Sequence, residues 1–215
     1  MVSKQIGSLR KEYGILELNK ENVNPDPIQQ FELWFSEAYK QEGEEANATT
    51  LSTLGLDGNP EGRIVLLKHF SGEGFTFYTN YLSMKGQELE KHPFASLTFH
   101  WRSVERQVRI RGEVVKVAPE VSDEYFRSRP LASRIGAWAS PQSKEIDNRK
   151  ILDENEALYR AKFEGQEEIQ RPPHWGGYLI TPQKIEFWQG RPSRLHDRIV
   201  YERADSGWQI KRLAP

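Results

Sequence analysis

The chain has 215 residues, of which 37% are hydrophobic and 28% are charged, and its formal net charge at pH 7 is −1. This composition is that of a globular domain and excludes a disordered or fibrous chain. The near-neutral charge gives no reason to expect nucleic acid or an anionic membrane as a partner. The lack of cysteine excludes disulfides, thiolate zinc sites and cysteine nucleophiles.

No part of the sequence predicts a membrane span or a secretion signal. The apolar runs are too short to cross a bilayer, and the N-terminal sequence MVSKQIGSLRKEYG lacks an apolar stretch. We therefore expect a soluble protein of the cytoplasm. Residues 1–215 are expected to form one domain, in which the polar segment 1–20 is either loose or folded over another part of the protein.

The spacing of apolar residues predicts the elements in chain order. Residues 27–41 repeat their apolar side chains at helical spacing. Strands over 46–56, 63–70 and 75–80, joined by turns, predict an antiparallel meander. A helix over 83–92 precedes strands over 94–101 and 105–117, the second with a bulge indicated at Gly112. Region 119–163 is helical with breaks at Pro130 and Pro141, and four strands follow at 178–180, 184–189, 198–202 and 208–212.

This order of elements indicates the fold class. Strands lie before and after a helical block, and the early strands lack the helical crossovers that a parallel sheet needs. We therefore predict a mainly β protein, a small antiparallel β-barrel with helices packed outside.

Two short segments place charged or polar groups at strand ends, and each has a structural explanation. Arg63 and Lys68 flank an apolar run, and solvated strand ends are the more common interpretation of such a pattern. The stretch from Tyr78 to Asn80 ends a strand, and Ser83 and Lys85 open a helix. Hydroxyls, an amine and backbone N–H groups at a helix start suit a phosphate, although an N-cap serine in a turn looks the same.

Two further segments combine hydrogen-bonding groups on one face. Gln107 shares a strand face with Arg109 and Arg111, and its amide could pair with the imide-like edge of a flavin; a polar outer strand face is the alternative. Tyr125 and Arg129 are four residues apart, and Ser133 continues that spacing beyond Pro130. A phenol, a guanidinium and a hydroxyl would hold a phosphate monoester, whereas a solvated helix face with a capping serine is the alternative.

The most informative segment lies near the C-terminal end. If residues 194–198 are extended, Arg194, His196 and Arg198 lie on one face at period two. Three adjacent cations repel one another unless an anion lies between them. An exposed edge strand could also carry this pattern.

Taken together, these segments resemble the pyridoxine/pyridoxamine 5'-phosphate oxidases. The resemblance runs in order from about Leu9 to Pro215, through LRKEY, RIVLLK, FYTN, ERQV, SRP, IGAW, WGGY, IEFWQG, RLHDR and RLAP. It implies a homodimeric split barrel that binds FMN at the subunit interface. It also implies oxidation of pyridoxamine 5'-phosphate or pyridoxine 5'-phosphate at C4′ to pyridoxal 5'-phosphate, with O2 reduced to hydrogen peroxide.

The resemblance further implies roles for individual residues. It assigns FMN contacts to Arg63, Val65, Leu66, Lys68, Tyr78, Thr79, Ser83, Lys85, Gln107, Gln142, Ser143, Trp188 and Arg198. It assigns the phosphate of the substrate to Lys68, Tyr125, Arg129 and Ser133, and it places Arg194 and His196 over the reacting carbon as catalytic residues. Arg10 and Tyr13 fall in an N-terminal segment that in this family can close over the site.

One position departs from the family pattern. Met84 stands between Ser83 and Lys85, where the family usually has an arginine that contacts the FMN phosphate. Loss of one charge-assisted contact of about 1.5–3 kcal/mol weakens binding roughly ten- to hundredfold unless another group compensates.

Two other functions are alternatives. Another split-barrel flavoprotein, such as an FMN reductase or a haem-degrading relative, would lack the substrate residues that this chain retains at Tyr125, Arg129, Ser133, Arg194 and His196. A non-catalytic protein that stores or delivers flavin or pyridoxal 5'-phosphate would fail a turnover assay with added FMN.

Overall fold

A computed structural model describes residues 12–14 and 16–215; Arg10 lies outside them. The helices of this part of the chain are α1 (Pro27–Glu42), α2 (Met84–Lys91), α3 (Pro119–Ser128), α4 (Leu131–Ala139) and α5 (Lys150–Lys162). The strands are β1 (Ala48–Leu54), β2 (Pro60–Leu66), β3 (His69–Ser71), β4 (Gly74–Asn80), β5 (Phe94–Trp101), β6 (Arg106–Lys116), β7 (Trp175–Gln189), β8 (Asp197–Ala204) and β9 (Gly207–Leu213). None of these helices is long and apolar enough to cross a membrane.

The strands form one sheet. Its path is β2–β1–β5–β6–β7–β4–β3, with β8 paired to β7 and β9 paired to β8. The pairs β3–β4, β4–β7, β7–β8 and β8–β9 are antiparallel. The predicted fold class, a mainly β protein with an antiparallel sheet and additional helices, is confirmed.

Three details of the predicted strands are wrong. The strand expected over 63–70 is two strands, because the chain leaves β2 after Leu66 and the backbone N–H of Lys68 donates to the Thr76 carbonyl, 2.9 Å away. The meander is wrong at one step: β2 lies beside β1 and β3 pairs with β4 as expected, but β2 does not pair with β4, whose other partner is β7. The strands expected over 178–180 and 184–189 are one strand, β7, which continues through Pro182.

The chain divides into two compact units. The first comprises Met1–Thr49, Leu97–Ile110 and Gln183–Pro215. Its α1 begins after Asp26, whose carboxylate accepts from the Ile28 N–H, and its buried aromatic face packs on the strands. Ring centroids lie 5.3 Å apart for Phe31 and Phe99 and 5.1 Å apart for Trp34 and Phe187, so this core is largely aromatic.

The second unit comprises Thr50–Ser96 and Arg111–Pro182. Part of its core is a cluster of Phe126, Ile135, Ile169 and Trp175 between helices and the start of β7. The prediction that residues 1–215 act as one domain stays a prediction.

Gly112 leads to a test of the fold in the second unit. A Cβ on this residue would overlap the carbonyl oxygen of Thr181, and β6 runs through the position as a continuous strand. We expect Gly112→Ala to lower the free energy of unfolding by about 3 kcal/mol, since two backbones would have to separate. Gly136→Ala is the matched control. Apart from its chain neighbours and the backbone of α4 itself, no atom of residues 12–14 and 16–215 lies within 4 Å of an added Cβ there, so this change should stabilise the fold by about 0.4–1 kcal/mol. Equal urea midpoints for the two variants would contradict the close approach.

Candidate functional site

A cavity of about 280 Å³ opens in the second unit, and we call it the cationic pocket. It is lined by Ile64, Val65, Leu66, Lys68, Tyr78, Thr79, Asn80, Lys85, Tyr125, Arg129, Gln142 and Trp175. Nine of these residues are predicted site residues that lie far apart in sequence. Of the described residues that line the cavity, three are cationic and none is acidic. Such a lining favours an anion.

The local fold explains how these side chains reach the pocket. β2 ends at Leu66 and β4 ends at Asn80, and each delivers its last three residues to the cavity. α3 contributes Tyr125 from its last turn, and Arg129 follows directly after the helix. Ser83 caps α2: its Oγ donates to the Asn80 carbonyl over 2.6 Å and accepts from the Gly86 N–H. The helix therefore begins beside the cavity, where its first N–H groups favour a negative charge.

Lys85 is half-buried in this lining. Its Nζ lies 3.3 Å from Ser83 Oγ. Burial lowers the pKa of Lys85 below its ordinary value of 10.5, and the neighbouring Arg63 charge lowers it further, while Glu88 opposes the shift. The ammonium is thus a desolvated cation that an incoming anion would stabilise.

Arg129 lies against aromatic rings. Its guanidinium carbon is 4.5 Å from the Trp175 ring centroid, and Nη1 is buried without a hydrogen-bond partner in the described chain. Burial lowers the pKa of Arg129, against the influence of Tyr125. Tyr125 stacks on Tyr78 with centroids 3.9 Å apart, and burial raises the pKa of both phenols, so both remain neutral donors. A buried N–H group with no partner is costly unless a ligand accepts from it.

Four predicted residues of the second unit do not line the cavity: Ser83, which caps α2 beside it, and Arg63, Ser133 and Ser143. Arg63 donates to Thr53, and its Nη2 lies 2.9 Å from Oε2 of the buried Glu88, so its charge is already paired. Ser133 is half-buried in α4. Ser143 is exposed with φ of 66° and follows Gln142, which does line the cavity.

The other predicted residues belong to the first unit. Trp188, His196 and Tyr13 form an aromatic group with ring centroids 4.6 Å apart for Trp188 and His196 and 5.8 Å from Tyr13 to each of them. His196 Nδ1 accepts from the Arg191 backbone N–H over 3.1 Å, which places the proton of the neutral ring on Nε2. Burial and the Arg194 charge lower the pKa of His196 below 6.5, so the ring is neutral at pH 7.

The extended conformation predicted for residues 194–198 is wrong at its start. A 3-10 turn covers Pro192–Arg194, and Ser193 and Arg194 have φ of 57° and 61°. β8 begins only at Asp197, because the proline-initiated turn keeps the preceding residues out of the ladder. The period-two argument therefore does not apply to Arg194 and His196, although Arg194 is still close enough to influence His196.

Arg198 is held by a carboxylate on the neighbouring strand. Its Nε lies 2.9 Å from Glu186 Oε1, its Nη2 lies 3.2 Å from Oε2, and Nη1 donates to the Ala214 carbonyl. Arg109 also donates to Glu186. Burial opposes ionisation of Glu186, but the two arginines outweigh it and lower the pKa. The half-buried Gln107 lies on the more exposed face of β6, as predicted, since Val108 and Ile110 are buried.

Sequence reasoning placed Asn80 in a candidate phosphate segment without giving it a role, and it missed Ile64 and Trp175 as members of the pocket. It also missed the carboxylates Glu88 and Glu186 that hold arginines. Asn80 carried a signal, because it follows Tyr78 and Thr79 at the end of a strand. An aromatic residue at the start of a strand, such as Trp175, has the same signature as a core residue.

Comparisons with known proteins match two family models along the chain. The family model for pyridoxamine 5'-phosphate oxidase matches residues 35–155, and the model for the pyridoxine 5'-phosphate oxidase C-terminal dimerisation region matches residues 175–215. A pyridoxine/pyridoxamine 5'-phosphate oxidase of Cupriavidus metallidurans is 54% identical over 98% of this chain and 99% of its own length. One from Salinibacter ruber is 51% identical over the same shares.

Solved structures share the fold. PhzG from Burkholderia lata 383, in complex with tetrahydrophenazine-1-carboxylic acid, superposes with a TM-score of 0.87 at 28% identity, over 95% of this chain and 100% of that one. A pyridoxamine 5'-phosphate oxidase-related, FMN-binding protein from Nostoc punctiforme has a TM-score of 0.68 at 16% identity, over 86% and 97%, which shows the fold alone.

The lowered pKa of Lys85 leads to a test of the cationic pocket. Because the pKa of Lys85 lies below 10.5, the amine loses its positive charge as the pH rises toward 10. The affinity for inorganic phosphate should therefore fall over that range, by up to about tenfold. In Lys85→Arg the guanidinium stays charged, so the affinity should change much less over the same range. Calorimetric titration at several pH values measures both. Parallel declines in the two proteins would show that Lys85 is not the responsible group.

Proposed function

The chain belongs to the pyridoxamine 5'-phosphate oxidase family, and on this premise we propose that its cationic pocket serves the FMN-dependent oxidation of pyridoxamine 5'-phosphate or pyridoxine 5'-phosphate to pyridoxal 5'-phosphate. Its family and its relatives of matching length identify the protein as an FMN-dependent oxidase. The observation that carries the substrate assignment is the pocket itself, with Lys68, Lys85 and Arg129 around a cavity and no acidic residue in its described lining. Both substrates and FMN carry a phosphate monoester, the group that such a lining fits.

The residues present fit FMN. Ser83, Lys85 and the start of α2 offer a hydroxyl, an amine and N–H groups to its phosphate, and Tyr78 and Thr79 lie beside them. Met84 adds no charge there; it is the first residue of α2, with 44% of its surface exposed. The phosphate of FMN thus depends on Lys85 and its neighbours, and Arg63 contributes less than an unpaired cation would because its guanidinium is bound to Glu88.

We assign the phosphate of the substrate to Arg129, Lys68, Tyr125 and Ser133. The Nη1 group of Arg129 is an unused hydrogen-bond donor, and the neutral phenol of Tyr125 is a second donor. Lys68 lines the same cavity and adds a positive charge. Binding at this end fixes the distance of C4′ from the redox centre, which makes hydride transfer effectively intramolecular. FMN, when bound, supplies the two-electron acceptor for C4′ oxidation and passes the electrons on to O2.

Arg194 and His196 are assigned to the reacting end of the substrate. Arg194 remains protonated, so it orients the amine or hydroxyl at C4′ and stabilises developing charge. His196 is neutral and presents Nε2–H, so it can donate a hydrogen bond. In the amine reaction, C4′ loses a hydride and the amine nitrogen loses a proton to give an imine, which water hydrolyses to the aldehyde with release of ammonia. In the alcohol reaction, C4′ loses a hydride and the hydroxyl oxygen loses a proton, which gives the aldehyde without hydrolysis. O2 is reduced to hydrogen peroxide in both.

A homodimer would unite the two groups of residues. The region that matches the dimerisation model, 175–215, contains Trp188, Arg194, His196 and Arg198. We propose that a second copy of the chain supplies these side chains, together with Gln107, to the cationic pocket of the first. The segment that contains Tyr13 would then cover the same site from its position beside Trp188 and His196.

A turnover assay tests this function. The purified protein with added FMN should be yellow and should convert pyridoxamine 5'-phosphate to pyridoxal 5'-phosphate, seen by its absorbance, with stoichiometric peroxide. Pyridoxamine without the phosphate is the matched control and should react far more slowly at equal concentration. A protein that binds FMN and pyridoxal 5'-phosphate but never turns over would be the non-catalytic carrier instead.

The assigned roles of Arg194 and His196 predict unequal effects. Arg194→Ala should lower kcat/KM by about 10²-fold, the scale for losing a positioned charged group. His196→Ala should cost less, and its effect should diminish at saturating substrate. Steady-state kinetics with a flavin stoichiometry check measures both, and FMN content should remain near that of the unmodified protein. Full activity of Arg194→Ala, or FMN loss as its only defect, would remove these residues from the substrate site.

A further inference from the structure

We infer that Trp175 is a positioning residue, which holds the Arg129 guanidinium on its indole face so that an unneutralised positive charge faces the cationic pocket and selects phosphorylated substrates. This inference rests on the proposed function for the identity of the substrate. Its structural basis lies wholly within the second unit.

The contact between the two side chains is close. The Arg129 guanidinium carbon is 4.5 Å from the Trp175 ring centroid and 5.8 Å from that of Phe126. Cation–π attraction is strongest for tryptophan and grows as the pair loses water, and here Trp175 is buried and Arg129 is half-buried. No carboxylate of the described chain forms an ion pair with Arg129, and its Nη1 has no hydrogen-bond partner there. The indole face is therefore its principal support.

An aromatic ring that supports an arginine differs from a carboxylate in its effect on the arginine's charge. Glu88 holds Arg63, and Glu186 holds Arg198, and in both cases the carboxylate cancels the charge that it fixes. The indole fixes the guanidinium without cancelling its charge, and it occupies none of the N–H groups in the guanidinium plane. Arg129 thus keeps its full charge and its in-plane donors for a phosphate, whose oxygens match that fork.

Trp175 is itself held in place from several sides. Its backbone pairs with Asn80 in the β4–β7 ladder, and its carbonyl accepts from Arg171. Arg171 Nε in turn lies 2.6 Å from Asp123 Oδ1 on α3, the helix that carries Tyr125. The indole also lies nearly parallel to the Tyr125 ring, with 9° between the planes. The support for Arg129 is consequently set before any ligand arrives.

The experiment compares Trp175→Phe and Trp175→Leu in the FMN-loaded protein. Loss of the cation–π contact should raise the KM for pyridoxamine 5'-phosphate about 3- to 30-fold in Trp175→Leu, and less in Trp175→Phe, with kcat within about twofold. The dissociation constant of inorganic phosphate, measured by calorimetry on the same protein, should rise in the same order. This second measurement needs no turnover, so it distinguishes failure of the inference from failure of the proposed function.

A double-mutant cycle separates positioning from a general packing role. In an Arg129→Ala background, Trp175→Leu should change KM and phosphate affinity by less than about twofold, because the group that it positions is gone. Trp138→Leu is the matched control: Trp138 packs against the same hydrophobic cluster, but its rings contact Tyr159 and His174, so the phosphate affinity of this variant should be unchanged. If Trp175→Leu does not fold, Trp175→Phe with and without Arg129→Ala decides. Additive losses, or equal losses in Trp138→Leu, would overturn the inference.

Discussion

Buried positive charge without an acidic partner is the constraint on which the site depends. Arg129 and Lys85 lose hydration in the cationic pocket, and burial lowers the pKa of each. A neighbouring carboxylate would remove that cost, but it would also remove the attraction for an anion. The protein instead surrounds Arg129 with aromatic rings, and it places Lys85 in the first turn of a helix, where the dipole also disfavours a cation. The free energy of folding offsets this desolvation, and both positive charges remain available to attract an anionic ligand.

The sequence predicted elements well where one rule dominated. Helical spacing identified α1, and an N-cap serine marked the start of α2. The rules failed where tertiary partners decided the outcome. Leu67 and Lys68 carry β-forming neighbours, yet the chain changes partners there, and Pro182 lacks an N–H but does not end β7. Pairing with a distant strand, such as β4 with β7, has no local signature.

The candidate site was predicted in a similarly uneven way. Polar groups at the ends of strands and helices are conspicuous, and most of those that line the cavity were found. The residues that hold them were not. Glu88 and Glu186 have the appearance of solvated carboxylates in a sequence, but both are buried and bind arginines. The turn at Pro192–Arg194 was also missed, because two successive positive φ angles at non-glycine residues are rare.

The turn at Pro192–Arg194 lowers local stability but restricts the backbone that carries the Arg194 side chain. Left-handed conformations at Ser193 and Arg194 each cost about 1 kcal/mol or more, and the cost is met when the chain folds. In return, Arg194 has little backbone freedom left to lose when a ligand binds. Glycine at position 193 would relieve the strain, but it would return that freedom to the neighbouring arginine. At position 193, selection for thermal stability therefore favours glycine, whereas selection for a fixed Arg194 cation favours a residue with a side chain, such as the serine found there.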